Sequence, residues 1–337
     1  MGDLRVSFFR QNISVDLGTA TVLVNVEGKG TVVEAPSLVA VKEGTNEVQA
    51  IGDDASYLMG RTPSEITTIK PVRNGIISNY TTTAAMLKYF LNKAVSNPLK
   101  KILKPDVMIC IPCQTTNVEK RAVEQAALEA GARRVYLVYE PLAAAVGAGL
   151  DISRACGNLV MDIGGGTTDI AVISYGGIVT SRSVRVAGDA FDDTIKNYVK
   201  KKHGLLIGDK TAEMIKKEVG CMAYGARHDS AEIRGSDIIT GLPSERVITS
   251  EEITDSLIEA AMPILDGLHA VLEETPPELS ADIFSRGIIL TGGGALVTGL
   301  DELIRKSTGI DVTIADNPER CVVNGSAVIL MKEKQSK

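Results

Sequence analysis

Several things are missing from this 337-residue sequence, and each absence excludes a class of function. There is no excess of positive charge: 36 Lys and Arg stand against 42 Asp and Glu, for a net charge of -6. Without a basic field, a nucleic-acid partner is not expected. No apolar run approaches the roughly 20 residues needed to cross a bilayer. The region around Phe8 and Phe9 lacks the apolar stretch of about 7–15 residues that a secretory leader carries, so a cytoplasmic location is expected. The five cysteines are odd in number, and a disulfide framework is not expected in that compartment. Cys110 and Cys113 have the spacing of a redox pair, but Cys110 lies in an apolar run, 107–111, that reads as a buried strand. A redox pair would instead open a helix, whose dipole lowers the thiol pKa. His203, His228 and His269 have no metal-ligand spacing to each other or to the cysteines, and no structural metal is expected.

What is present is an ordinary globular composition, 44% hydrophobic and 23% charged, in a chain long enough for two domains with cores of their own. Strands and helices alternate. Strands are predicted at 14–16, 21–27, 32–34, 38–42, 48–51, 107–112, 135–138, 159–163, 170–174 and 178–186. A helix is predicted at 81–95, where Leu87, Phe90, Leu91, Ala94 and Val95 share one face. Another spans 116–131, opened by a capping box of Thr116 and Glu119 and closed by Gly131. Further helices are predicted at 141–149, 189–202, 211–220, 251–272, 300–306 and 321–334. The chain therefore reads as α/β, with a small strand-rich insert at 34–74 and a chiefly helical insert at 188–245. Pro276 and Pro277 read as a turn between helix and strand.

The informative feature is an echo. Asp16-Leu17-Gly18-Thr19 and Asp162-Ile163-Gly164-Gly165-Gly166-Thr167-Thr168-Asp169 are both strand, Gly-rich turn, strand, one in each half and 146 residues apart. Glycine removes the Cβ, so backbone N–H groups can close on phosphate oxygens. The aspartate supplies a carboxylate for Mg2+, directly or through water. Two such loops from two domains can grip one triphosphate from both sides. A third cluster, Thr291-Gly292-Gly293-Gly294-Ala295, follows the apolar strand 288–290 and can let a nucleoside lie against bare backbone. Singly, each is an ordinary turn; together, at strand ends and in this order, they point to a nucleotide. The glycine fingerprint of a dinucleotide fold and the Gly-x-x-x-x-Gly-Lys phosphate loop are both absent.

This order of loops resembles the superfamily of actin, hexokinase and heat-shock-chaperone ATPases, and within it the chain is most similar to the MreB family of bacterial actins. The resemblance is carried by 14–20, 35–40, 60–63, 131–134, 140–149, 162–169, 183–189, 274–279 and 290–295, spread over nearly the whole chain. It implies an actin-like, ribonuclease H-like fold of duplicated domains, with four subdomains around a central nucleotide cleft. The first domain would hold 1–145 and the C-terminal helix 321–337, the second 146–320. It implies ATP or ADP with Mg2+ as cofactors, the metal being served by Asp16 and Asp162. Gly18, Thr19, Ala20, Thr21, Gly164, Gly165, Gly166, Thr167 and Thr168 would surround the phosphates, beside Gly188 and Asp189. Glu213 and Lys216 would approach the ribose and base, and Gly292, Gly293, Gly294 and Ala295 would border the adenosine. Glu140 matches the residue that orients the attacking water, and Thr167 would fix that water or the γ-phosphate. Hydrolysis would then proceed by positioning and charge neutralisation. On the residues alone, Glu140 ahead of Pro141 also reads as a helix N-terminal carboxylate stabilised by the dipole. Three residues depart from the family: Thr21 stands where Asn is usual, Tyr139 where an acid is usual, and Asp169 where Glu is usual. Tyr139 bears on water access and turnover.

The resemblance further implies a weak ATPase that self-associates into paired protofilaments at the inner face of the cytoplasmic membrane and helps set cell shape. Cell-shape membrane proteins are further candidate partners. Leu99, Ile102 and Leu103, interleaved with Lys100, Lys101 and Lys104, suit a shallow anchor on anionic headgroups. The same apolar residues could also fold onto the core. Leu4, Phe8 and Phe9, with Arg5 and Arg10, form a second apolar and basic segment. A metabolic kinase would need a sugar-side base, and a chaperone would need a substrate-binding domain beyond the ATPase. An ATP-binding filament scaffold with little hydrolysis is the alternative, with Tyr139 as its motive.

Overall fold

A computed structural model of the chain describes residues 11–45, 47–95 and 103–335. They fall into two compact units. The first comprises residues up to 154, 175–178 and those from 319 onward; the second comprises 155–174 and 179–318.

The chain begins with an antiparallel hairpin, β1 (Asn12–Leu17) and β2 (Thr21–Val26), extended by β3 (Gly30–Pro36). A small three-stranded sheet follows, from β4 (Val39–Lys42), β5 (Glu47–Ile51) and β6 (Ile66–Ile69), with the short helix α1 (Asp53–Leu58) between the last two. The two-residue strands β7 (Val72–Arg73) and β8 (Ile76–Ile77) pair with each other. Next come α2 (Tyr80–Ala94), β9 (Asp106–Ile111), α3 (Asn117–Glu129), β10 (Arg134–Tyr139) and α4 (Glu140–Gly147). The main sheet has the order β10-β9-β1-β2-β3, with β9 parallel to both β1 and β10.

The second unit repeats this plan. β11 (Asn158–Ile163), β12 (Thr168–Ser174) and β13 (Gly177–Val184) open it. After them come α5 (Gly188–His203), β14 (Leu205–Leu206), α6 (Asp209–Val219), β15 (Ser230–Asp237), β16 (Pro243–Thr249), α7 (Ser250–Glu273) and α8 (Pro277–Arg286). β17 (Ile288–Thr291), a 3-10 turn (Gly293–Leu296), α9 (Leu300–Thr308) and β18 (Val312–Ile314) complete it. The sheet order is β13-β12-β11-β17-β18, the same order by role. In both sheets the opening strand is central, the next two strands extend one side, and two later parallel strands extend the other. The last helix, α10 (Cys321–Gln335), belongs to the first unit and packs on α4 and β1.

Both β9 and β11 are buried along their whole length, so their apolar residues run in sequence, at 107–111 and 159–161, instead of alternating with exposed ones. Leu159, Met161 and Ile163 are fully buried; each such side chain stabilises by about 1.5–3 kcal/mol relative to exposure. Cys110 sits within β9, buried and outside any disulfide. Phe191, Ile195 and Val199 form the buried face of α5 at helical spacing, and Gly204, at φ 62°, ends that helix in the left-handed conformation. α4 and α10 meet backbone to backbone: a Cβ on Gly147 would stand 1.8 Å from the Cys321 carbonyl oxygen, and one on Gly325 would stand 1.8 Å from that of Ala143.

Three expectations need correction or placing. Besides α5 and α6, the insert at 188–245 carries β14, β15 and the start of β16, a three-stranded antiparallel sheet where no strand was predicted. Pro277 is not in a turn; it opens α8, where its missing N–H costs no helical bond. Leu99 and Ile102 lie outside the described residues, as do Leu4, Phe8 and Phe9, while Leu103 is half-buried. Among the described residues, no helix is long and apolar enough to cross a membrane.

Candidate functional site

In the first unit, the register sets Asp16 opposite Leu23 and Leu17 opposite Val22, which leaves 18–20 as a tight turn. A Cβ on Gly18 would stand 2.7 Å from the Thr21 carbonyl oxygen, so the turn closes only around glycine. Thr19 is buried, and its hydroxyl oxygen accepts the N–H of Gly75 at 3.2 Å. The carbonyl of Ala20 accepts the N–H of Ser37 at 2.8 Å. The N–H groups of Thr19 and Ala20 find no acceptor among the described residues. Successive free amides in a turn make an anion-binding concavity. Asp16 is half-buried at its entrance, and Ala20 and Thr21 are exposed.

Also in the first unit, Glu140 is the first residue of α4 and is buried. Tyr139 precedes it as the N-cap residue without a side-chain cap bond. Its hydroxyl oxygen accepts from Lys120 Nζ at 2.9 Å, and that ammonium stands 5.0 Å from the ring centroid.

The second hairpin sets Asp162 opposite Asp169 and Ile163 opposite Thr168. The Gly164 N–H donates to the Thr167 carbonyl at 2.9 Å and closes the turn. The carbonyls of Gly164 and Gly165 accept the N–H groups of Gly188 at 3.1 Å and Asp189 at 2.7 Å, the first two residues of α5. The N-cap residue is Ala187, which has no side-chain acceptor, so the loop itself caps the helix. The N–H groups of Gly165, Gly166 and Thr167 find no acceptor among the described residues. The Thr168 hydroxyl donates to the Val186 carbonyl at 2.7 Å.

Asp162 is buried, and the Thr291 hydroxyl donates to its Oδ1 at 2.7 Å. Burial pushes its carboxyl pKa up to about 6, and the Thr291 hydrogen bond offsets part of that rise. A buried carboxylate with so little compensation suits a hard cation. Mg2+ asks for only one or two carboxylates, the remaining ligands being water and phosphate. Among the described residues, no cluster of three or more His, Cys, Asp or Glu could hold a metal by itself.

The third glycine cluster is packed against this hairpin. Gly292, at φ 81°, would place a Cβ 2.3 Å from the Ile163 carbonyl oxygen, and Gly294 would place one 2.4 Å from Ile163 Cγ2. Gly293 faces open space, and Ala295 is buried. Lys216, on α6, donates from Nζ to the Gly188 carbonyl at 3.0 Å and to Asp192 Oδ2 at 2.9 Å. Burial pushes the Asp192 carboxyl up to about 6 against the pull of Lys216, while Glu213 and Asp189 push it the same way as burial. Glu213 is exposed and pairs with Lys217 at 2.6 Å. The second unit thus brings Asp162, the loop 164–167, Gly188, Asp189 and Lys216 into one connected set. The sequence reading missed Asp192, whose signal was its place one helical turn after Gly188, and Gly75, which carried no signal.

The family model described as MreB/Mbl protein matches residues 10–337. The cell shape-determining protein Mbl of Bacillus cereus is 50% identical over 323 residues, covering 96% of each chain. The cell shape-determining protein MreB of Escherichia coli is 44% identical over 326 residues, covering 96% of this chain and 94% of that one. The crystal structure of MreB5 of Spiroplasma citri bound to AMPPNP superposes with a TM-score of 0.91 at 39% identity, covering 97% of this chain and 98% of that one. The same values hold for its ADP-bound structure.

Proposed function

The chain belongs to the MreB/Mbl family and has the actin-like fold, and from that premise we propose that it is an ATP-binding, ATP-hydrolysing bacterial actin whose filaments act at the inner face of the cytoplasmic membrane to control cell shape. The observation that carries the reading is the pair of glycine hairpins, one in each unit, each with a carboxylate at its entrance and, in its turn, N–H groups that find no acceptor among the described residues. The MreB5 structures bound to AMPPNP and ADP support a nucleotide there, and the cell shape-determining relatives support the cellular role.

In this reading the amides of Thr19, Ala20, Gly165, Gly166 and Thr167 would hold phosphate oxygens, and Asp16 and Asp162 would hold Mg2+ directly or through water. When bound, the metal neutralises charge on the phosphates. Glu140, fixed at the start of α4, accepts a hydrogen bond from the attacking water, and Thr167 keeps that water or the γ-phosphate in line. Gly293 borders the adenosine, and Lys216 with Glu213 serves the ribose and base. Leu99, Ile102 and Leu103, among lysines, support a shallow membrane contact. The filament is a homopolymer of paired protofilaments.

A second reading, a filament that binds ATP but hydrolyses it little, draws on the Lys120–Tyr139 contact beside Glu140, where an acid is usual. Electron microscopy with ATP and Mg2+, run beside a phosphate-release assay, decides between them. Filaments with release support the first reading and filaments without release the second. Release without filaments removes both. For the membrane part, a Leu99/Ile102/Leu103→Ser variant should pellet less with anionic liposomes, and equal pelleting would remove that loop.

A further inference from the structure

The phosphate loop of the second unit is held in place by more than its own hairpin. Its carbonyls at Gly164 and Gly165 face the first turn of α5, and that turn has no side-chain cap. Gly188 is bound at both ends of its backbone: its N–H donates to the loop at 3.1 Å, and its carbonyl accepts Lys216 Nζ at 3.0 Å. A Cβ at position 188 would stand 3.2 Å from that Nζ and 3.3 Å from the Gly164 oxygen, so a side chain there would press on both contacts by a few tenths of an ångström. Lys216 comes from another helix, α6, and is aimed by Asp192 on α5, one turn beyond Gly188. The two side chains are 12% and 15% exposed. At that depth the pair is only weakly screened. Other acids stand near: Glu213 and Asp189 both act on the Asp192 carboxyl. Without Asp192, the ammonium of Lys216 would be drawn toward them and away from the Gly188 carbonyl.

We propose that Asp192 is a positioning residue for the nucleotide phosphates: it fixes Lys216, Lys216 fixes the first turn of α5, and that turn fixes the carbonyls of Gly164 and Gly165 in the loop 164–167. With those carbonyls turned toward the helix, the amides of Gly165, Gly166 and Thr167 are left for phosphate. The inference rests on the nucleotide reading above, and it gives the second hairpin an anchor that the first hairpin lacks.

The test uses the full chain and two readouts, amide hydrogen exchange without nucleotide and ATP affinity with Mg2+. Asp192→Ala should speed exchange at Gly188 and Asp189 and weaken ATP binding about tenfold, the size of one charge-assisted hydrogen bond. Asp192→Asn keeps an oxygen for Lys216 and should restore most of both. Exchange in β11 and β12 should stay at the wild-type rate. Unchanged exchange at 188–189 or unchanged ATP affinity overturns the proposal. A rise in exchange throughout the second unit also overturns it, because that would mark a general loss of stability. If Asp192→Ala does not fold, Asp192→Asn carries the test, with smaller changes in the same direction. A wild-type chain that binds no ATP would instead defeat the nucleotide reading, and the exchange data would still decide the linkage.

Discussion

The two glycine hairpins share a register and a turn, yet they are fastened by different means. The first is tied to its unit by a side chain and a neighbouring loop: the Thr19 hydroxyl to the Gly75 N–H, and the Ala20 carbonyl to the Ser37 N–H. The second has glycine where the first has Thr19 and Ala20, and its Gly164 and Gly165 carbonyls are tied to the N–H groups that start α5, with the Thr168 hydroxyl on the Val186 carbonyl beside them. The carboxylates differ in the same way, Asp16 being half-buried and Asp162 buried behind Thr291. What the two keep in common is a row of N–H groups with no acceptor. A turn reaches that state when its carbonyls are engaged elsewhere, and the partner that engages them is free to vary.

The comparison can be broken most forcefully at the root of the second hairpin. Gly292→Ala puts a methyl 2.3 Å from the Ile163 carbonyl oxygen at a positive φ, and it should cost about 3 kcal/mol or more. Gly18→Ala, with its nearest contact at 2.7 Å, should cost less. Thermal melts of both would undo this ranking if the order came out reversed.

Asp162→Asn separates the two carboxylates. The folded-state pKa of about 6 lies above the ordinary 3.8, so the charged carboxylate is a burden to the empty protein that grows as pH rises from about 4 to about 6. Removing the charge should therefore raise nucleotide-free stability at pH 7 by up to about 3 kcal/mol. It should change nothing below about pH 4 and should weaken Mg2+-ATP binding. Equal stabilities of wild type and variant at pH 7 would contradict the burial argument.

Glu140→Ala should leave ATP affinity intact and slow hydrolysis about a hundredfold, within the usual range for one positioned acid or base. Phosphate release at the wild-type rate would take Glu140 out of the mechanism. The smallest effect belongs to the first hairpin's side-chain tie. Thr19→Ala leaves the Gly75 N–H without its acceptor, at a cost of about 1 kcal/mol. Urea melts would count against this if the loss matched that of Gly292→Ala.

Much of the fold could be read from local pattern. The capping box at Thr116 and Glu119 is present with both hydrogen bonds. The apolar run 107–111 became the buried strand β9, and the duplicated hairpins became the centres of two like sheets. β15 and β16 were missed because Glu232, Arg234, Glu245 and the apolar Val247 are exposed, while the inward face holds Ala231, Ile233 and Ile248 together with the half-buried Arg246. Three small or branched residues are too faint a period-2 signal for a strand pair. Pro277 misled because proline marks a helix start as readily as a turn. At the site, the glycine turns were legible because the geometry of a tight turn is local. The Asp192–Lys216–Gly188 connection was not, because it joins two helices whose faces the sequence leaves unassigned.

The helix α10 has a consequence for how the protein is made. It lies on α4 with backbone against backbone at Gly147 and Gly325, and it covers β1 in the first unit. Yet it is encoded after residue 318, where the second unit is already complete. On the ribosome, domains usually finish in the order in which they emerge. Here the half that emerges first must wait, with the groove along α4 bare, until the final helix arrives to close it.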